Sequence, residues 1–441
     1  MQIHTLFIIA IMIFLQALIA PADCSLTPDW TVKIVGDDLL LLPENEPVAI
    51  AGNGSIIAGA VDTSIIGISR AGTILWNHPR KDSCKKIILS YDGSRTVLVS
   101  KNNTLVYLDD TGHPLWSRIL PDSISQIAMS RDDDSVFTGG EAIWPGTGGN
   151  ISRYLRNGTL QWNYQAPAMI TDLAVSDGAG FVAAGGVRGA GTMDQPDKDL
   201  FFLDGDGRVL WSTGTGGDNC VAIDQQGTSI AVGVKGRNMI RLYNHEGTVL
   251  FSVPVSADIT DVAISPDGDY LFAGLAQPVN GEEFPRIICL NRKGSLVWKY
   301  PVNPGMPGAS FIRKIDIAKT TPVIVAGSSS GNVSLLGFNG TVIGNYNTGT
   351  WIEDIGISDD GTAVAVRIPD SVIRISQKNP AENVTGKQDQ DNSNFPIQPK
   401  KSPAIHEPPA APSGKTAPVP VTIPIIALGL LSIALLWRKD G

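Results

Sequence analysis

Six residues whose types could do chemistry, Lys86, Gln126, Asp172, Asp261, Lys314 and Asp354, stand at one and the same place in six copies of a repeat, directly before an apolar strand. Ammonium, amide and carboxylate groups gathered at one mouth would grip a polar ligand, and the simpler alternative is that they pair with neighbouring loops. Other candidates do not converge. Of the five histidines, His4 and His406 lie near the chain ends, His113 and His245 fall in turns of different repeats, and His78 follows a strand alone. A hydrolytic metal needs converging ligands, so none is assigned. Gly327-Ser328-Ser329-Ser330-Gly331 has the spacing of a serine nucleophile elbow but lies between two predicted strands, whereas the elbow needs a sharp strand-to-helix turn. The acidic loop Asp204-Gly205-Asp206-Gly207 is explained by turn chemistry as well as by calcium. The four cysteines, Cys24, Cys84, Cys220 and Cys289, are far apart and imply no particular pairing. No catalytic residue, metal or cofactor is expected.

The elements that position these residues form a repeat. An apolar strand followed by a small polar residue and a turn recurs eight times, at Val48-Ala49-Ile50-Ala51, Ile87-Ile88-Leu89-Ser90, Ile127-Ala128-Met129-Ser130, Leu173-Ala174-Val175-Ser176, Val221-Ala222-Ile223-Asp224, Val262-Ala263-Ile264-Ser265, Ile315-Asp316-Ile317-Ala318 and Ile355-Gly356-Ile357-Ser358. The spacing, about 39 to 53 residues, is that of a four-stranded propeller blade. A second marker closes most units, a turn glycine with an aromatic four residues later: Gly72 with Trp76, Gly112 with Trp116, Gly158 with Trp162, Gly207 with Trp211, Gly247 with Phe251 and Gly294 with Trp298. Gly340 with Gly344 is a degenerate seventh. Such rings are expected to pack between blades rather than to hold a ligand. The eighth unit lacks the marker, but Trp30 precedes Trp76 by 46 residues. Asp29 to Val35 is therefore expected to return as the outer strand of the last blade and close the ring. The fold expected is all-β, an eight-bladed propeller over residues 23–377.

Phe202-Leu203-Asp204-Gly205-Asp206-Gly207-Arg208-Val209-Leu210-Trp211 and Ile288-Cys289-Leu290-Asn291-Arg292-Lys293-Gly294-Ser295-Leu296-Val297-Trp298 resemble pyrroloquinoline-quinone-type propeller repeats, and Ser265-Pro266-Asp267-Gly268 resembles the turn of WD-type repeats. The resemblance covers about residues 30 to 377 and implies the fold. It implies no single function, because such folds host enzymes and scaffolds alike. Quinone-dependent dehydrogenases of this kind hold cofactor and calcium in the central channel with a catalytic aspartate and, in several families, a disulfide of neighbouring cysteines. This chain has no neighbouring cysteines and no carboxylate cluster resembling a calcium cage, so no catalytic residue is carried over.

The two ends read as an address. Leu6 to Ile19 is apolar except for Gln16 and is followed by Ala20-Pro21-Ala22, so residues 1–22 are expected to be a signal peptide. Residues 378–420 are proline-rich and polar, as in a disordered stalk. Residues 421–437 are an apolar span and 438–441 a cationic cytoplasmic tail. Val419-Pro420-Val421-Thr422-Ile423-Pro424 also resembles archaeal C-terminal sorting signals, by which such a helix is exchanged for a lipid-like anchor. Seven sequons, at Asn53, Asn102, Asn150, Asn157, Asn332, Asn339 and Asn383, suit an exported glycoprotein. A net charge of −9 without a basic stripe excludes nucleic acid as the expected partner.

Long connections fall on one face of the expected propeller: Glu141 to Gly149 with Trp144, Val187 to Asp199 with Met193, Gln277 to Pro285 with Phe284, and Asn303 to Ser310. Loops vary freely on a rigid scaffold, and insertions gathered on one face mark a candidate binding face that includes Trp144, Met193 and Phe284. The reading is a non-catalytic, membrane-anchored binding or scaffold propeller at the cell surface, engaging an envelope protein or glycan. The alternative is a quinone-dependent oxidoreductase of the same fold.

Overall fold

The structure is a computed structural model that describes residues 25–33, 47–61, 64–79, 82–141, 148–188, 197–276, 286–301 and 311–376. The signal, stalk and anchor segments, and with them Cys24 and Asn383, lie outside the described residues. So do Trp144, Met193 and Phe284. Among the described residues no helix is long and apolar enough to cross a membrane.

Eight four-stranded antiparallel sheets form the blades. Seven are continuous in sequence: Val48–Pro79, Cys84–Ile119, Ser123–Ala166, Met169–Thr213, Asp218–Pro254, Ile259–Pro301 and Ile312–Asn347, blades 1 to 7. Blade 8 combines Asp354–Ile357, Ala363–Ile368 and Ser371–Ser376 with the N-terminal strand Pro28–Lys33, in which Trp30 pairs with Arg374 and Val32 with Val372. The inner strands touch in sequence order, and those of blades 8 and 1 also meet, so the ring is closed. Closure by the N-terminal strand agrees with the expectation from Trp30.

Residue pattern follows position in the blade. The second strand of each blade is buried along its middle, at every residue in Val323–Ser328 and Ala363–Ile368, and reads largely as a run of Val, Ile, Ala and Gly, because a neighbouring blade covers each face. Outer strands such as Leu296–Pro301 alternate between half-buried and exposed residues. The small polar residue after the inner strand has a local task. The hydroxyls of Ser90, Ser130, Ser176, Ser265 and Ser358 accept the N–H five residues later, at 2.9 to 3.1 Å, and so shape the turn into the second strand.

The glycine–aromatic marker is a joint between blades. The glycine at each hairpin tip has positive φ, and the ring of the preceding blade lies flat on it: Trp30 on Gly72, Trp76 on Gly112, Trp116 on Gly158, Trp162 on Gly207, Trp211 on Gly247, Phe251 on Gly294 and Trp298 on Gly340. The indole N–H groups of Trp30, Trp116, Trp162, Trp211 and Trp298 donate to the carbonyls of Arg70, Arg156, Gly205, His245 and Phe338, each two residues before the glycine, at 2.7 to 3.0 Å. Trp76 departs from this pattern. Its ring is tucked against Gly67 of its own blade, where a Cβ would come within 2.1 Å, and its Nε1 has no hydrogen-bond partner among the described residues.

The joint predicts a contrast between two glycines. In Gly207→Ala the new Cβ would meet the Trp162 ring at 2.5 Å with φ held at +84, whereas at Gly178 nothing lies within 4 Å. Thermal unfolding should show Gly207→Ala destabilised by about 1–3 kcal/mol and Gly178→Ala changed by no more than about 0.5 kcal/mol.

Candidate binding site at the channel mouth

Each inner strand contributes to the channel the residue just before its apolar run. The eight are Pro47, Lys86, Gln126, Asp172, Cys220, Asp261, Lys314 and Asp354, and all line one cavity of about 810 Å³. The six polar residues singled out from the repeat are therefore brought together at one mouth.

Most of them are occupied. Asp172 accepts the N–H of Leu173 on its own strand at 2.9 Å and that of Val221 on the next blade at 2.8 Å. Asp261 does the same with Val262 and Ile315, at 2.9 and 2.8 Å. Asp354 accepts from Ile355 and, across the closing seam, from Val48, at 2.9 and 3.1 Å. One step further down, Asp316 joins blade 7 to blade 8 through Ile317 and Ile357. These carboxylates are stitches between adjacent inner strands. Lys314 donates to Asp354 at 2.8 Å, and the Cys220 thiol to the Gly233 carbonyl at 3.4 Å.

Burial, reinforced by the nearby Asp172 carboxylate and offset in part by the Ile315 N–H, pushes the Asp261 carboxyl up to about 7. Burial also raises Asp172, against its two backbone N–H partners. For Lys314 burial disfavours the ammonium, but the carboxylates of Asp354 and Asp316 outweigh it and hold the pKa above the usual lysine range. Burial pushes the Cys220 thiol well up, which makes it a poor nucleophile.

The opposite mouth is bridged. The residue that follows each small polar residue points there, and the Arg131 guanidinium lies 3.2 Å from Asp177 and 2.9 Å from Asp359, over the Tyr91 ring. Lys319 reaches Asp177 at 3.3 Å. These contacts join blades 3 and 7 to blades 4 and 8. Sequence reasoning passed over this set, although Tyr91, Arg131, Asp177, Lys319 and Asp359 share one repeat position as clearly as the upper ring does. It also passed over Lys85, Arg313 and Glu353, which directly precede ring residues in the cavity wall, and Lys235, which comes from the end of a second strand and carries no repeat signal.

The remaining candidates resolve into structure. Ser328 and Ser330 are buried and bonded to each other at 2.9 Å in a strand-to-strand turn. Asp204 accepts from the N–H groups of Asp206 and Arg208 in its own hairpin. His78 and His245 bond through Nδ1 to the carbonyls of Gly112 and Gly227, the buried Cys84 thiol donates to the Lys86 carbonyl at 3.2 Å, and Cys220 and Cys289 are buried thiols. A calcium–quinone centre does not fit the ring, because its three carboxylates are each committed to two backbone amides and no group of three or more His, Cys, Asp or Glu among the described residues could hold a metal ion. Of the sequons, Asn53, Asn102, Asn157 and Asn339 are exposed and Asn150 and Asn332 half-buried. The amide nitrogens of Asn150, Asn332 and Asn53 donate to Asp122, Ser330 and the Asp92 carbonyl.

Since Asp261 gains a proton on folding between its ordinary range and about 7, its ionisation makes folding less favourable as pH rises through that window. Asp261→Asn leaves one of two inner-strand amides without its acceptor and should cost about 1–3 kcal/mol at pH 5. Denaturant melts should show that deficit narrowing toward pH 8, where only the wild type carries the buried charge.

Comparison with solved structures places the chain among propellers. It superposes on the C-terminal WD40 domain of Sif2 with a TM-score of 0.62 at 12% identity, covering 81% of this chain and 99% of that one. For Chaetomium thermophilum Sqt1, solved bound to the N-terminus of the ribosomal protein L10, the values are 0.61, 15%, 76% and 98%. For BamB from Moraxella catarrhalis they are 0.54, 17%, 80% and 100%. At these identities the likeness is one of fold. No curated protein sequence matches the chain. The profile of one family, described as outer membrane protein assembly factor BamB, matches residues 28–180 and 172–383, nearly the whole of the ring. The chain thus belongs to that family of pyrroloquinoline-quinone-type propeller-repeat proteins.

Proposed function

We propose that this protein is a non-catalytic scaffold, exported and held at the cell surface by its C-terminal segment, that binds an envelope protein or glycan with the face around its open channel mouth. One observation carries the reading. The channel is bridged by ion pairs at one mouth and opens into a cavity of about 810 Å³ at the other, on the side where the long connections between strands begin and end.

The path of the chain supports the same face. Ser376, the last described residue, ends a strand beside Ala363 and the Asp29 carboxylate, at the bridged end of blade 8. The chain thus leaves the ring at the end away from the open mouth. Membership of a family described as an assembly factor is in keeping with protein binding, and the Sqt1 relative shows a propeller engaged with a polypeptide terminus. Trp144, Met193 and Phe284 belong to connections whose described ends stand at this mouth, and they are the contact residues of this reading.

Crosslinking on intact cells from positions on the open-mouth face should capture one envelope component. Joint replacement of Trp144, Met193 and Phe284 by Ser should abolish that capture while stability stays within about 1 kcal/mol. Capture that survives and maps to the bridged face overturns the reading, and dye reduction by purified protein supplied with quinone and calcium overturns its non-catalytic part. Export also predicts a glycan pattern. Mass spectrometry of native protein should find Asn102, Asn157 and Asn339 modified, and Asn150, whose amide nitrogen donates to Asp122 at 2.7 Å, bare.

A further inference from the structure

A separate cavity opens on the bridged side of the ring, where the first turn and the outer hairpin of a blade end together. It holds about 570 Å³ between blades 4, 5 and 6, within the ~300–1,000 Å³ of small-ligand sites. Phe181 and His245 give it an aromatic surface that is fixed in place. Phe181 stacks on Phe202 at 5.6 Å, the His245 ring stands T-shaped to Phe181 with centroids 4.6 Å apart, and the His245 Nδ1–H donates to the Gly227 carbonyl at 2.9 Å. The His245 carbonyl in turn accepts the Trp211 indole N–H at 2.8 Å, so this surface is part of the seam between blades 4 and 5.

Around it stand polar side chains that the fold does not use. Gln226, from the first turn of blade 5, and Glu246, from the outer hairpin of the same blade, are exposed, and neither side chain has a partner among the described residues. Asn244 accepts the Thr248 N–H through Oδ1 at 2.7 Å, which orients its amide and leaves the NH2 without a partner among the described residues. Arg292 reaches in from blade 6 and has a 3.9 Å contact with the exposed Asp269. Leu250, 41% exposed, adds apolar surface beside them.

We propose that this cavity binds a neutral saccharide, with the C–H face of a pyranose against Phe181 and Leu250 and its hydroxyls bonded by Gln226, Asn244, Glu246 and Arg292. Each hydroxyl is a donor and an acceptor at once, and the wall supplies both: NH2 groups from Gln226 and Asn244 and the Arg292 guanidinium as donors, the Glu246 carboxylate and the Gln226 carbonyl as acceptors. One anion and one cation leave the wall without net charge. A phosphate or carboxylate would use the donors alone and meet Glu246, and an ammonium would use the acceptors alone and meet Arg292. The two-pronged amide, carboxylate and guanidinium groups match pairs of neighbouring hydroxyls, which a saccharide presents all round its ring and a peptide only at isolated side chains. Phe181 and Leu250 gain by covering the C–H face, since apolar surface leaves water.

This site lies away from the open mouth and does not rest on the reading of that face. The test probes an array of neutral oligosaccharides, each printed beside its uronate, sulfated and amino-sugar counterparts, with the full chain. The array also carries saccharides prepared from the cell envelope and saccharides released from the protein itself, so that retention on one set or the other identifies the source. Neutral forms should be retained over their charged counterparts. Glu246→Ala removes an acceptor, and Asn244→Asp removes the NH2 while keeping the bond to Thr248. Each should weaken binding about tenfold or more in titration, with thermal melts showing that the variant is folded, and joint replacement of Trp144, Met193 and Phe284 by Ser should leave it unchanged. Retention of no neutral saccharide, tighter binding of a charged form, wild-type affinity in both cavity variants, or loss of binding in the triple serine variant overturns the proposal. Capture of an envelope component at the open mouth is read separately, so either result can fail while the other stands.

Discussion

The ring depends on one repeated contact, an indole laid flat on the hairpin glycine of the next blade. Each half of the contact makes sense only with the other. The glycine supplies a backbone that turns with positive φ and a surface without a Cβ, and the ring supplies area large enough to cover it and an N–H that satisfies an outlying carbonyl of the same hairpin. A blade is a twisted sheet whose faces must be covered, and this contact fixes how far it is rotated against its neighbour. Phe251 on Gly294 keeps the covering surface and gives up the hydrogen bond, so packing is the part of the contact present at every such seam.

One seam cannot be built this way. Blade 8 has no hairpin between its third and fourth strands, because one ends at Ser376 and the other begins at Pro28. The seam from blade 7 accordingly has Gly344 where a ring would stand, and the N-terminal segment lies along it: Leu26 donates its N–H to the Asn345 carbonyl at 2.8 Å and, like Ile343 and Tyr346, packs against the shared core of blades 7 and 8. The same blade holds unusual buried charge. Arg374 sits 3.4 Å from Asp29 and donates to the Gly54 carbonyl of blade 1, and Arg367 lies 3.7 Å from Glu353 with both side chains almost wholly buried. Guanidinium groups bonded to backbone carbonyls and acids from both ends of the chain make closure specific, because a misplaced strand would strand a buried charge.

The inner face applies a related economy to carboxylates. Asp172, Asp261, Asp354 and Asp316 each tie an N–H of their own strand to one of the next, which explains acids in a channel without any ligand. A charged residue at a channel mouth therefore says little about function until its hydrogen bonds are counted. Once they are, most of the ring at the open mouth is accounted for by the fold.

Much of this was legible in the chain. Repeat length, the Gly-x-x-x-Trp marker and the position of Trp30 determine blade number and closure, because they record contacts between neighbours that recur at one spacing. The ring at the open mouth was legible for the same reason, since one repeat position maps to one height in the channel. Only the tertiary structure decided which ring members are already bonded, because the partner amides, Val221 for Asp172 and Ile315 for Asp261, lie one blade away. It likewise decided that Arg131 and Lys319 bridge the far mouth to Asp177 and Asp359. Closing a ring brings together residues from blades distant in the chain, and no periodicity along the sequence encodes a contact across the axis.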